Sequence, residues 1–250
     1  MSVSVVIPTL NEVENLPRLI ASLQQVGGIA EIAIADGGSA DGTREWVLSQ
    51  PGLDQQRLAQ SRLDQPRIML VDSPRGKGPQ LNAGAALATG NLLLFLHADC
   101  RMNNQSWVAL QAAIAQPHTA GGAFHIRFAE RSPAALRLVE KGINARTSVT
   151  RTGTGDQGIF VRRSIFLQIG GAPDWPLFED VELVGRIKKV GRFVVIKAPL
   201  TISGRRYIEF GVVRTALLIF ALRLGFWLGV SPDRLKRWFK DMSQNPRTPR

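Results

Sequence analysis

The sequence predicts an α/β fold: a mostly parallel central sheet flanked by helices. Short apolar, β-branched runs alternate with helix-like periodicity through the first hundred residues. Polar and charged residues gather just after those runs, at Thr9 to Glu12, Asp36, Arg75 to Lys77 and Asp99. The chain has 250 residues, 44% apolar and 20% charged. That is enough to bury a core, with the balance of a globular domain.

Val3 to Ile7 is, but for Ser4, an apolar run of the kind that suits a buried parallel strand. Asn11 and Glu14 have capping-box spacing, and Leu16, Leu19, Ile20 and Leu23 fall on one helical face that Gly27-Gly28 ends. The unit then repeats. Glu31 to Ala35 is a strand ending at Asp36, and Asp41-Gly42-Thr43 reads as turn and cap chemistry before a helix from Thr43 to Ser49. Residues 51–66 are polar and hold two prolines, so a loop or exposed helical insert is expected. Arg67 to Val71 is a third strand, Gly78 to Thr89 an alanine-rich helix, and Asn91 to Leu96 a fourth strand closing on His97-Ala98-Asp99. Strands alternating with helices imply parallel pairing through right-handed crossovers, with ligands at the carboxyl ends of the strands.

Beyond Asp99 the pattern changes. Helices are expected at Asn104 to Gln116, Ser132 to Ser148 and Glu179 to Val190, and strands at Gly122 to Phe128, Ile159 to Arg162 and Phe193 to Ile196. We divide the chain into a domain over residues 1–210, its first hundred residues forming the nucleotide-binding half and 101–210 the acceptor half, and a basic, apolar helical extension over 211–250. Residues 212–230 are apolar but interrupted by Arg214 and Arg223, which leaves charge-free runs of eight and seven residues. That is short of the ~20 a spanning helix needs. The stretch reads either as a packed core helix or as an interfacial segment whose arginines reach lipid phosphate.

The net charge is +11, and residues 201–250 hold ten Lys/Arg against three Asp/Glu. Such a basic end points to an anionic partner: a phosphorylated substrate, an anionic membrane surface or nucleic acid. Zinc spacing, an aromatic RNA-binding motif and a reader helix are all missing from the sequence, so no specific nucleic acid partner is expected. Cys100 is the single cysteine, which excludes an internal disulfide. The first residues read as a strand rather than a signal peptide. A cytoplasmic placement, with peripheral contact at the inner face of the cell membrane, is the expectation.

The chemistry-bearing pieces run, in order, Pro8-Thr9-Leu10-Asn11-Glu12, Asp36-Gly37-Gly38-Ser39, Asp41-Gly42-Thr43, Lys77-Gly78 with Asn82 and Gly84, His97-Ala98-Asp99, Gly155-Asp156-Gln157-Gly158 and Phe178-Glu179-Asp180-Val181-Glu182. Each is weak alone, but their order and spacing resemble the family-2 glycosyltransferases, inverting enzymes with the GT-A nucleotide-diphospho-sugar transferase fold. The likeness is nearest to a bacterial subgroup known as rSAM/selenodomain-associated or arsenosugar-biosynthesis glycosyltransferases, and it runs from Val3 to Tyr207. A sugar nucleotidyltransferase would open with a glycine-rich loop after the first strand, which Pro8 to Glu12 lacks. A non-catalytic nucleotide- or nucleic-acid-binding protein is the other rival.

The resemblance implies a nucleoside-diphosphate sugar, UDP-linked by type, as donor and an alcohol, lipid-linked acceptors included, as acceptor. Pro8, Thr9 and Glu12 would border the nucleoside, and Asp36 would accept a hydrogen bond from the base. Arg75 and Lys77, before a helix, would face the diphosphate, a placement that suits an anion. Asp99 would bind Mn²⁺ or Mg²⁺, hard cations that prefer oxygen ligands. His97 stands where the family has a further acid and would contact ribose or phosphate. Asp156, Gln157 and Trp175 would contact sugar and acceptor, and Arg205 and Arg206 the diphosphate. Asp180 would be the catalytic base, with Glu179 orienting it. Each of these residues also has a plain structural reading: cap, turn or salt bridge.

Overall fold

A computed structural model describes residues 2–50, 66–129 and 133–243, with side chains left undescribed from residue 240 on. The segment expected as a loop or insert therefore lies, except for Pro66, outside the described residues. Strands β1 (Val3–Thr9), β2 (Ile29–Asp36), β3 (Arg67–Asp72), β4 (Leu92–Phe95), β5 (Thr119–Phe128), β6 (Ile159–Arg162) and β7 (Arg192–Ile202) form one sheet of order β3-β2-β1-β4-β6-β5-β7. The pairs β3-β2, β2-β1, β1-β4 and β5-β7 are parallel, and only β6 runs against its neighbours. The sheet is thus mostly parallel, as expected.

β1 lies between β2 and β4, with Val5 beside Ile32 on one side and Leu94 on the other. Its side chains alternate across the sheet. Val3, Val5 and Ile7 join one apolar cluster and Val6 the other. A strand buried on both faces has no polar face to keep, which is why Val3 to Ile7 is apolar but for Ser4, whose hydroxyl is spent on Glu31. Each such side chain contributes about 1.5–3 kcal/mol of burial. Helices α1 (Leu16–Val26), α2 (Thr43–Leu48), α3 (Lys77–Leu87) and α4 (Asn104–Ala115) link these strands; α5 (Ala134–Thr150), α6 (Arg163–Gln168) and α7 (Glu179–Val190) serve the second half. The first cluster includes Phe124, Phe160 and Leu200 alongside Val5, so the two halves share one core.

The Asn11–Glu14 capping box is not formed. α1 begins at Leu16, and Asn11 has φ 57°. Its Oδ1 instead accepts from Ala40 N, and its own N–H donates to Ser39 Oγ. Asn11 braces the β1 loop against the β2 loop, a partner that no local spacing reveals. Helices α8 (Arg205–Phe210), α9 (Val212–Trp227) and α10 (Pro232–Ser243) complete the chain. Tyr207 anchors α8 edge-on against Phe128 of β5, with ring centroids 5.4 Å apart. Among the described residues no helix is long and apolar enough to cross a membrane.

Candidate active site

Parallel strands deliver their carboxyl ends to one edge of the sheet, and that edge collects the polar residues. β1 ends at Thr9 with Glu12 beyond it, and β4 runs on through His97 to Asp99. Lys77 opens α3, and Glu179 and Asp180 open α7. Two close backbone approaches bring these together. A Cβ on Gly78 would stand 2.1 Å from the Pro173 carbonyl oxygen, so the start of α3 touches the loop leading to α7. Asn82 fixes the same contact, accepting from Ala172 N at 2.9 Å and donating to Ala172 O at 2.8 Å. A Cβ on Gly155 would stand 2.6 Å from His97 Nε2 and 3.6 Å from Asp180 Oδ2. Gly155 therefore lies between the end of β4 and the start of α7, and its N–H donates to Asp180 Oδ2 at 2.7 Å.

The electrostatics follow from this crowding. Burial pushes Asp99 above the ordinary carboxylate range, and the charges of Glu12 and Asp156 push it further. Burial likewise raises Glu179, to which Asp180 adds its charge. Asp180 is raised by burial and by Asp156, against the pull of Lys77 and of the Gly155 and Val181 N–H groups. Lys77 acts on Asp99, Glu179 and Asp180 alike, so the carboxylates from β4 and α7 share one cation. Burial drives His97 well below its usual range, helped by Lys77 and Arg206, which leaves a neutral imidazole. Tyr207 is pushed up to about 12, by burial first and then by Asp156. Phe178, at the N-cap of α7, has φ 64°, an uncommon conformation for an aromatic residue, immediately before the two acids. Its ring is held against Phe226 of α9, centroids 4.8 Å apart.

The profile of glycosyl transferase family 2 matches residues 4–168. The chain belongs to that family. Among curated relatives it is 34% identical over 116 residues to the PGL/p-HBAD biosynthesis glycosyltransferase of Mycobacterium bovis (strain BCG / Pasteur 1173P2), covering 46% of this chain and 42% of that one. The chain thus spans less than half the length of that relative. Among solved structures, the Pyrobaculum calidifontis mannosyltransferase PcManGT, in complex with GDP-Man and Mn²⁺, superposes with a TM-score of 0.62 at 18% identity, over 88% of this chain and 61% of that one. S. aureus TarS 1-349 in complex with UDP gives 0.60 at 16% identity, over 88% and 65%. The α/β fold is GT-A.

Within this family-2 fold the expected site residues separate. Glu12, Lys77, His97, Asp99, Asp156, Glu179, Asp180 and Arg206 influence one another across the edge. Pro8 lies on β1 beside Ala35. Arg75 and Arg205 are exposed and are not among the charges that shift the site's groups.

Several of the expected contact residues are engaged within the protein. The Asp36 side chain is 0% exposed. It accepts from Thr9, Gly38, Arg44 and both the N–H and hydroxyl of Ser39. Those bonds outweigh burial and hold it below the ordinary range. Its partner Thr9 has its hydroxyl committed to the same network, and its carbonyl accepts from Gln80. Gln157 touches no open space either. Fully buried, it bonds Phe124 O, Thr147, Thr154 and Arg146, which fixes the turn from Thr154 to Gly158. Trp175 is partly spent on Phe226, ring centroids 6.1 Å apart.

Sequence reasoning passed over Arg146. Arg146 comes from the middle of α5, where its spacing gave no sign. It is half-buried, lies in the field of Asp156 and Asp180, and its Nε has no partner among the described residues. Gln80 was also missed; it bridges the ends of β1 and β2 by donating to Thr9 O and Ala35 O.

Proposed function

We propose that the chain is an inverting glycosyltransferase. It moves a sugar from a nucleoside diphosphate, UDP by preference, to an acceptor hydroxyl. The observation that carries this is Gly155 packed between His97, two residues before Asp99, and Asp180, with both carboxylates raised by burial at the carboxyl edge of the sheet. Perturbed acids converging from separate elements are the usual mark of chemistry rather than of packing. The TarS complex with UDP and the PcManGT complex with GDP-Man support a nucleotide-bound donor. Within the family we place the chain nearest the rSAM/selenodomain-associated or arsenosugar-biosynthesis subgroup, on Gly37 and His97 standing where family members carry acids.

Asp180 takes the proton of the acceptor hydroxyl. The freed oxygen attacks the anomeric carbon from the face opposite the diphosphate, the new C–O bond forms as the old one breaks, and the diphosphate leaves with the electron pair. Gly155 N–H aims Asp180 by bonding one oxygen, and Glu179 beside it disfavours a second proton-free carboxylate at low pH. Lys77, at the start of α3, faces the leaving diphosphate, as a helix N-terminus with a cation favours. Arg206 adds charge from α8.

Asp99, with Glu12 and Asp156 near, gathers negative charge that no described side chain ion-pairs. Three protein ligands do not form a cage among the described residues. The charge gathered at Asp99 fits a hard divalent ion, Mn²⁺ or Mg²⁺, that takes most of its ligands from phosphate and water. Asp99 would hold it, and its chemistry is to neutralise charge on the departing diphosphate.

We assign the acceptor alcohol to a lipid, because Trp175 and Phe178, which lead into Glu179, are packed on the apolar helix α9. The decisive experiment is Asp180→Asn assayed for transfer and for UDP binding. Transfer falls ~10²–10⁴-fold, the usual contribution of a positioned base, while UDP affinity holds. Unchanged turnover rejects the assignment.

A further inference from the structure

α9 is largely apolar, and among the described residues one side of it meets the protein. Val213, Leu217, Phe220, Leu224, Trp227 and Leu228 are 47–76% exposed. With about 100° per residue, these six fall within an arc of about 100°. Thr215, Leu222 and Gly225, the buried positions, lie on the opposite side. Arg214 and Arg223 project along the two borders of the exposed stripe. The residues that made the stretch look poorly amphipathic in sequence are therefore its edges. α10 follows with Trp238 exposed and Arg234 and Arg237 exposed beside it.

We propose that α9 and α10 form a membrane-docking surface that lies in the plane of an anionic bilayer. An apolar stripe bordered by arginines and tryptophans matches the boundary between acyl chains and phosphate headgroups. The helix spans 16 residues and does not meet the requirement for crossing. A second copy of the chain is the poorer occupant, since residues 201–250 carry seven more cationic than anionic side chains and two such faces would repel. Phe226, on the protein side of α9, holds Trp175 and Phe178. Lys236 of α10 donates to Pro176 O at 3.2 Å. Docking therefore holds the loop before Glu179 on the inner side of α9, about one helix diameter (~10–12 Å) from the lipid surface, within reach of a long lipid-borne acceptor. This last step rests on the glycosyl-transfer reading; the docking itself does not.

The test is flotation of the full chain with phosphatidylcholine vesicles, with and without phosphatidylglycerol. The chain floats with the anionic vesicles, more weakly as salt rises. Leu217→Glu/Phe220→Glu lowers partitioning at least ~10-fold, since two apolar insertions are lost and two like charges added. Leu48→Glu, an exposed position on α2, leaves it unchanged. Thermal midpoints of both variants stay at the wild-type value, which separates lost docking from lost folding. Absence of wild-type binding at low salt overturns the proposal. So does equal binding by Leu217→Glu/Phe220→Glu, or a dimer that this variant dissociates while vesicles are ignored. No nucleotide is present, so a chain that floats yet binds no nucleotide sugar sinks the transfer reading and not this one.

Discussion

Glu31 is a buried carboxylate and Asp180 a half-buried one, and their surroundings move them in opposite directions. Glu31 sits at the amino end of the sheet. It accepts from Ser4 Oγ at 2.6 Å and from Thr89 N and Oγ1 at 2.8 and 2.7 Å. Burial alone would raise it, but these bonds prevail and lower it. Its stabilising effect is present above the unfolded value and is lost as pH falls through the folded one. Glu31→Gln lowers the thermal midpoint at neutral pH, by about 1–3 kcal/mol of stability, and leaves turnover per folded molecule intact. Asp180 is raised, so its ionised form costs stability once pH exceeds the unfolded value. Asp180→Asn therefore raises the thermal midpoint at neutral pH, and the gap to wild type closes as pH falls toward about 4. The same substitution removes transfer. The acid limb of the pH–rate profile lies above the ordinary Asp range, and its midpoint belongs to Glu179 and Asp180 together. A midpoint lower in Asp180→Asn than in wild type at pH 7 refutes the strain-for-function account.

At the scale of elements, the contact between α3 and the loop before α7 assembles the site. Gly78 has no room for a side chain, because its Cβ would stand 2.1 Å from Pro173 O, a backbone atom that cannot rotate away. Gly78→Ala drives the loop off α3 and separates Lys77 from Glu179 and Asp180. It costs about 1–3 kcal/mol, or roughly 2–4 °C per kcal/mol in thermal midpoint, and lowers transfer more than it lowers stability. Normal transfer by Gly78→Ala dissociates this contact from catalysis. Elements of this kind were legible in the sequence where their signal is local. β1, β4 and α7 follow from apolar runs and periodicity. What was not legible depends on partners far along the chain. Asn11 looks like a cap because its true partners, Ser39 and Ala40, are one strand away. The network around Asp36 was hidden for the same reason, since strand-end position does not reveal that Thr9, Ser39 and Arg44 donate to its carboxylate. α9 looked confused because it has two apolar faces, one for the protein and one turned outward.

Across the whole molecule, the two edges of the sheet divide the work. The amino edge buries a carboxylate with its hydrogen bonds complete. The carboxyl edge keeps Asp99, Glu179 and Asp180 in unfavourable charge states and leaves Arg146 Nε without a partner among the described residues. That unfavourable edge is completed only by something that brings compensating charge and hydrogen-bond acceptors, and a nucleoside diphosphate with a divalent ion brings both. The expected result is mutual dependence. UDP alone raises the thermal midpoint modestly, because its phosphates meet Lys77 but also Asp99 and Glu12. UDP with Mn²⁺ raises it much further, since the ion screens those acids from the phosphates. At a ligand concentration 100 times Kd the stabilisation is about 2.7 kcal/mol, or several degrees for a chain of this size. Asp99→Asn removes the increment due to Mn²⁺ and spares the part due to the nucleoside, because the role proposed for Asp99 is to hold the ion. A Mn²⁺ increment that survives in Asp99→Asn assigns the ion to Glu12 or Asp156 instead. Protection by UDP equal with and without the ion removes the metal from the proposed site.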